Sequence, residues 1–200
     1  MCARFYIDPD AKRFALTAAE EMGLLLSDET DEFEPTDIVP TKTAPALVLG
    51  PEKGSLVLTP ITWGYPSFDG KQVIINARAE SVRDKRLFRH GFESCRALFP
   101  AGHFYEWNRQ KEKFTFEEKD HRPFFLCGFC DLFDGKYRFV ILTRKANEQV
   151  SPVHDRMPVI AEDAAKAGTF LLSQEGAETI CGMEGPSLVS QTDYQQLSLF

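Results

Sequence analysis

The chain has 200 residues, 43% of them hydrophobic and 17 of them Phe, which suits one large domain with a sizeable core better than two small ones. No apolar run approaches the roughly 20 residues of a membrane span, and the charge at Arg4 breaks the N-terminus before any signal-peptide core, so a cytoplasmic protein is expected. The formal net charge of −7 would count against nucleic acid, but residues 20–37 hold eight acids and no Lys or Arg, and removing that −8 segment leaves +1.

Residues 10–26 place apolar groups at 14, 16, 18, 22 and 25 among charges, which predicts an amphipathic helix weakened near Gly23. The acidic stretch through Pro35 and Pro40 reads as a loop. From 46 onward the period shortens, predicting strands over Ala46–Gly50, Ser55–Trp63 and Val73–Asn76, split by Pro51, Gly54 and the Gly64–Gly70 loop. Residues 79–92 return to a helical pattern through Val82, Leu87, Phe88 and Phe92. Strands follow over 97–107, Phe114–Glu118, Phe124–Phe133 and Tyr137–Thr143, with Asp134-Gly135 as a hairpin turn signal between the last two. After Pro158-Val159-Ile160 come two short helical patterns, near 162–172 and 175–181. Strands clustered with hairpin turns, and helices at the margins, predict an α+β fold with mainly antiparallel sheet.

Local positive charge exists within this frame. Arg78, Arg83, Lys85, Arg86, Arg89 and Arg96 face only Glu80, Asp84 and Glu93, and Lys136, Arg138, Arg144 and Lys145 form a second basic stretch. Local field is what attracts phosphate, although a merely solvated face fits each stretch taken alone.

Cys2 draws chemical attention. An initiator Met is removed when the next residue is small. The product here would carry an α-amine, which ordinarily titrates at about 8, beside a thiol that titrates at about 8.5. An aldehyde condensing with such an amine gives an imine, which the thiol then closes to a five-membered thiazolidine. Only an N-terminal Cys offers this 1,2-aminothiol. Three other segments hold candidate partners: Asn76 in Asn-Ala-Arg-Ala-Glu, Glu106 in the otherwise apolar Phe-Tyr-Glu-Trp, and His154 in His-Asp-Arg-Met-Pro. Each has a plain alternative. Asn76 would serve as a helix cap, Glu106 as the partner of an arginine, His154 as a satisfied loop histidine.

Taken in order, Met-Cys-x-Arg, Trp63-Gly64-Tyr65-Pro66, Asn-Ala-Arg-x-Glu, Phe-Tyr-Glu-Trp, Ile141-Leu142-Thr143 with Ala146-Asn147, and His-Asp-Arg-Met-Pro-Val-Ile resemble the SRAP family of SOS-response-associated, abasic-site-processing proteins. The resemblance runs from Cys2 to about Val189-Ser190, so residues 1–190 are expected to form a single SRAP-type domain with a curved or barrel-like sheet, peripheral helices and a groove for single-stranded DNA. It implies Cys2 as nucleophile, Asn76 orienting the sugar or the N-terminus, and Glu106 and His154 moving protons. Glu106, set among aromatics, should have a raised pKa, and His154 titrates near neutrality in any case. Arg4 and Arg78 become the expected phosphate clamps, with Pro40, Thr143 and Arg156 as further DNA contacts and Phe68 stacking on a splayed base. Trp63 is expected in the core. The chain departs from the family pattern at Ala3, where Gly is usual, at Glu162-Asp163-Ala164, where a tryptophan often stands, and in a shortened C-terminal extension.

Residues 191–200 read as a tail. Gln196-Leu197-Ser198-Leu199-Phe200 looks like the pentapeptide with which bacterial proteins bind the sliding clamp, Leu199 and Phe200 filling a pocket beside Gln196; docking on its own domain is the plain alternative. Cys127-Gly-Phe-Cys130 lies in an apolar strand pattern that sends its sulfurs to opposite faces, so buried thiols are expected there, and all five cysteines are expected reduced. Imine and thiazolidine chemistry needs only proton transfer, so no metal or organic cofactor is expected. The expected protein is a nucleoid-associated monomer that crosslinks abasic single-stranded DNA, with strand-lyase or self-processing activity as further options. Its rivals are an N-terminal-nucleophile amidase or peptidase and a plain single-strand-binding module.

Overall fold

The computed structural model describes residues 2–28 and 34–192. In chain order, β1 (Phe5–Ile7) leads through α1 (Ala11–Glu21) to β2 (Leu25–Asp28) and β3 (Thr36–Ile38), then to β4 (Thr43–Leu49), β5 (Ser55–Trp63), β6 (Tyr65–Pro66), β7 (Val73–Ile74) and β8 (Asn76–Arg78). A 3-10 turn at Ala79–Ser81 precedes α2 (Arg86–Ser94). Five strands follow: β9 (Arg96–Ala101), β10 (His103–Trp107), β11 (Lys113–Glu118), β12 (Phe124–Phe133) and β13 (Lys136–Lys145). The chain continues with β14 (Arg156–Pro158), β15 (Ile160–Ala161), α3 (Ala164–Leu172), α4 (Gln174–Gly182) and β16 (Leu188–Thr192).

The expected α+β fold with mainly antiparallel, barrel-like sheet is what the strands form. Pairing runs β13-β12-β9-β4-β5 and returns from β5 to β13, closing a ring, with β2 added beside β5 and with β14 and β8 on β13. A second sheet runs β16-β11-β10-β1-β3. The ring strands read as almost continuous apolar runs because both of their faces are covered. Phe125, Cys127 and Phe129 of β12 join Val140 and Leu142 of β13 in a core shared with the helices. The alternating Phe124, Leu126 and Cys130 join Phe139, Ile141 and Trp63 in a core that also holds Phe5, Phe104 and Phe116 of the second sheet. Cys127 and Cys130 therefore do face opposite sides, as the strand period requires.

Several expectations change. The first helix stops at Glu21 in a Schellman turn, with the amides of Gly23 and Leu24 donating to the Glu20 and Ala19 carbonyls, and Leu25–Asp28 pairs in parallel with β5 rather than continuing it. Thr36–Ile38 of the acidic stretch is a strand on β1. The last strand runs to Thr192, so Gln191 and Thr192 belong to the sheet rather than to a tail. Cys95 and Cys130 are disulfide-bonded, with Cα atoms 5.4 Å apart, where reduced thiols were expected. Cys95 stands just before β9 and Cys130 opposite it on β12, the Cys130 amide donating to the Cys95 carbonyl at 2.8 Å, a juxtaposition invisible in a spacing of 35 residues. Cys2, Cys127 and Cys181 are free thiols.

The β12–β13 hairpin turns through Asp134 and Gly135, both at positive φ (49° and 74°), as its sequence signal requires. Within β12, Gly128 has no room for a side chain: a Cβ there would lie 2.4 Å from the Val140 carbonyl oxygen and 2.9 Å from the Phe99 ring. Gly128→Ala should therefore destabilise the protein by about 1–3 kcal/mol through overpacking, read as a lowered midpoint in thermal or urea unfolding.

Candidate active site

Cys2 sits just before β1, fully buried at 0% exposure. Two long-range pairings carry it there: β1 lies between β10 (Phe5↔Phe104) and β3 (Phe5↔Ile38). Its carbonyl accepts a 2.8 Å hydrogen bond from Asn76 Nδ2, across a separation of 74 residues. The thiol points at the Arg4 carbonyl at 3.8 Å. Burial pushes this thiol well above its usual pKa, and the Glu106 carboxylate raises it further. The sequence-based expectation of a thiol partly ionised near neutrality thus gives way to a neutral thiol that needs a base.

Asn76 opens β8, which lies parallel on β13 with Asn76 opposite Ile141. It caps no helix. The 3-10 turn that follows has Arg78 at its N-cap position with no side-chain cap, and the Asn76 amide faces Cys2 instead. Its Oδ1 is buried without a hydrogen-bond partner among the described residues, an acceptor left for a donor. Trp63 is fully buried, as expected, and has an unforeseen role: its indole N–H donates to the Ile75 carbonyl at 2.8 Å and so steadies the residue before Asn76.

Glu106 is 1% exposed on β10, opposite Phe114. Burial lifts its carboxyl from the usual range to about 7, and Asp155 pushes in the same direction. Asp155 follows His154 directly, so that loop faces the Glu106 carboxyl. His154 is partly buried, and burial lowers its pKa, keeping the imidazole neutral at neutral pH. Its Nδ1 accepts the Arg156 backbone N–H at 3.0 Å, which puts the ring proton on Nε2. Asp155 Oδ1 also lies 3.1 Å from Nδ1. That lone pair is already taken by the backbone donor, and the Asp155 carboxylate is solvent-exposed, so the backbone contact decides the tautomer. A cleft of about 750 Å³ opens beside His154, lined by Trp107–Gln110 and Ser151–Asp155.

The expected DNA contacts fall into different environments. Phe68 is fully exposed at the tip of a loop held by Ser67 and Asp69, whose side chains bond each other at 2.7 Å and bind the Gln72 and Lys71 amides respectively. Arg78 is exposed and Pro40 half-buried. Arg4 is engaged by Asp37 at 2.9 Å, with its guanidinium 5.4 Å from the Tyr105 ring centroid. Thr143 is 0% exposed, so the direct strand contact expected of it is replaced by an internal one: its hydroxyl donates to the Ala77 carbonyl and accepts from Arg156. Arg156 is held by Glu80 through two bonds, 2.6 and 2.9 Å, and is no free cation. The 78–96 basic run is likewise partly consumed by the fold. Arg83 pairs with Glu93 and Glu178, and Arg96 donates to the Phe92, Glu93 and Leu171 carbonyls. Gln196, Leu197, Leu199 and Phe200 lie outside the described residues. The contacts of Asp37, Tyr105 and Glu80 escaped the sequence reading, although Tyr105 and Glu80 stand in the Phe-Tyr-Glu-Trp and Asn-Ala-Arg-x-Glu segments.

Comparison with known proteins bears on the family and the fold. The family model described as SOS response associated peptidase (SRAP) matches residues 1–194. The abasic site processing protein YedK of Escherichia coli is 28% identical over 179 residues, 83% of this chain and 78% of its own length. YoqW of Bacillus subtilis, also named an abasic site processing protein, is 36% identical over 99 residues, 45% of this chain and 44% of its own. The crystal structure of a phage-related protein from Bordetella bronchiseptica shares the fold, with a TM-score of 0.75 at 20% identity over 97% of this chain and 95% of that one.

Proposed function

The chain belongs to the SRAP family, and we propose that it captures abasic sites in single-stranded DNA on Cys2 once Met1 has been removed. The observation that carries this is the burial of residue 2 with its carbonyl tethered by Asn76, beside a carboxyl whose pKa is lifted to about 7. The abasic-site processing named in YedK and YoqW is the kind of reaction such a site is suited to perform.

The ring-opened sugar of an abasic site presents an aldehyde. The Cys2 α-amine adds to its carbonyl carbon and loses water, giving an imine. The thiol sulfur then adds to the imine carbon while the nitrogen gains a proton, closing the thiazolidine with one water released overall. Because the thiol is neutral, its proton must leave as sulfur attacks, and Glu106, with a pKa of about 7, is matched to accept it at physiological pH. His154, neutral with its proton on Nε2, is suited to hold the departing hydroxyl by a hydrogen bond while solvent supplies the proton with which it leaves as water. The unbonded Oδ1 of Asn76 would receive the new α-amine or a sugar hydroxyl. Arg78 and Phe68, both exposed, supply a phosphate contact and a stacking surface. No cofactor enters this scheme.

The test is to incubate the mature protein with abasic single-stranded DNA and then denature. An adduct that survives denaturation, with the mass of protein plus aldehyde-form DNA less one water, supports the proposal. Multiple-turnover amide cleavage without adduct would instead identify an N-terminal-nucleophile peptidase, and salt-sensitive binding alone a non-covalent module.

We further propose that Gln196–Phe200 docks on the sliding clamp and delivers the protein, as a monomer, to replicating DNA. Deleting 196–200 should abolish clamp capture while leaving adduct formation on free DNA unchanged; undiminished capture would refute it.

A further inference from the structure

We propose that Glu80 is a positioning residue for His154, acting through Arg156; the inference rests on the functional reading above. The Glu80 carboxylate grips the Arg156 guanidinium at 2.6 Å (Nη1) and 2.9 Å (Nη2), and Nη2 also donates to the Thr143 carbonyl at 2.6 Å. Thr143 belongs to β13, the strand that β8, β12 and β14 all join. Arg156 is thus clamped between the 3-10 turn that follows Asn76 and the central strand of the ring. Its backbone N–H, in turn, is the donor that sets the tautomer of His154.

An exposed ion pair ordinarily contributes little, and Glu80 is 54% exposed. This pair differs in being two-pronged and in gripping an arginine that is only 13% exposed. Its position matters more. β14 has three residues, and Lys145↔Arg156 is the terminal pair of its ladder. Terminal pairs open first; beyond this one a single backbone bond, from the Ala146 amide to the Asp155 carbonyl at 3.0 Å, holds the peptide that carries the Arg156 N–H, and the clamped Arg156 side chain is its second hold. Without Glu80 that second hold is weakened, the Arg156 amide shifts more readily relative to Nδ1, and the imidazole samples both tautomers. Glu80 and Asn76 lie four residues apart in sequence, so one short segment would orient both the tether of Cys2 and, at one remove, the Nε2–H hydrogen-bond donor of His154.

The readout is the tautomer itself, by ¹⁵N NMR of histidine-labelled protein. Wild type should show His154 as a single Nε2–H tautomer, Glu80→Ala a mixture of the two, and Glu80→Asp should restore the single form. Adduct formation at neutral pH should fall about tenfold in Glu80→Ala and recover in Glu80→Asp. In an Arg156→Ala background, adding Glu80→Ala should cost nothing further, because the two act as one unit. An unchanged His154 spectrum in Glu80→Ala overturns the proposal, as does a slowed reaction whose tautomer stays single. If wild type forms no adduct at all, the functional reading fails, while the spectra still decide whether Glu80 sets the ring.

Discussion

Cys2→Ala should abolish the denaturation-stable adduct with abasic single-stranded DNA, a loss on the order of 10³-fold or more, because the remaining α-amine gives only a hydrolysable imine that no thiol closes to a ring. The fold should survive. Cys2 is buried at the edge of a core anchored by Phe5, Trp63 and Phe104, and deleting one sulfur there costs on the order of 1 kcal/mol. A companion protein carrying two extra residues before Cys2 separates the two functional groups, since it keeps the thiol and lacks the α-amine at residue 2. It should form no adduct either. Adduct formation by that extended protein would show that the thiol acts alone and would sink the imine route. A denaturation-stable adduct in Cys2→Ala would remove the thiol from the chemistry and leave only the α-amine of residue 2.

Glu106→Gln should slow adduct formation by about 10²–10⁴-fold, the usual range for loss of a positioned acid–base group. The wild-type rate should rise through a pH of about 7 as the carboxyl ionises, and the variant should lose that inflection. The same residue makes a second prediction, on stability. Its folded-state pKa, about 7, lies above the ordinary 4.5, so the native protein holds a proton that the unfolded chain gives up. Ionised Glu106 therefore opposes folding. The penalty is absent below about pH 4.5, grows through the interval up to 7 and is complete above it, reaching on the order of 3 kcal/mol. Relative to wild type, Glu106→Gln should gain stability as pH rises from about 5 to 8, by thermal unfolding at each pH. A stability difference that stays flat with pH would place the Glu106 pKa in the ordinary carboxylate range and remove its fitness as a base at neutral pH.

The long strands were legible in the sequence because they carry their own signals. β12 and β13 combine apolar runs with an Asp-Gly turn, and β5 runs over Ser55–Trp63 as its alternation predicts. The short strands were not. β1, β2, β3 and β16 have three to five residues each, too few for a period, and exist because distant partners hold them. The site divides the same way. Cys2, Asn76, Glu106 and His154 stood out as polar or reactive residues in recognisable segments, yet their relations are long-range. That Asn76 tethers Cys2 rather than capping a helix, that Thr143 is internal, and that Arg156 is committed to Glu80 all depend on which strands meet on β13. The Cys95–Cys130 bond belongs with them, a product of register rather than spacing.

The pairing of β1 with β10 has a consequence for the order of events during synthesis. At about 5–20 residues per second, the strand that seats Cys2 is not made until some 5–20 seconds after β1 emerges, and the His154 loop later still. Methionine removal needs only the first few residues. A protein working through its aminothiol would therefore carry that group unprotected on the ribosome, open to any small metabolite aldehyde, until the last walls of its own pocket arrive. Rapid closure of the N-terminus against residues 100–160 would then decide what fraction of newly made molecules reaches DNA with a competent Cys2.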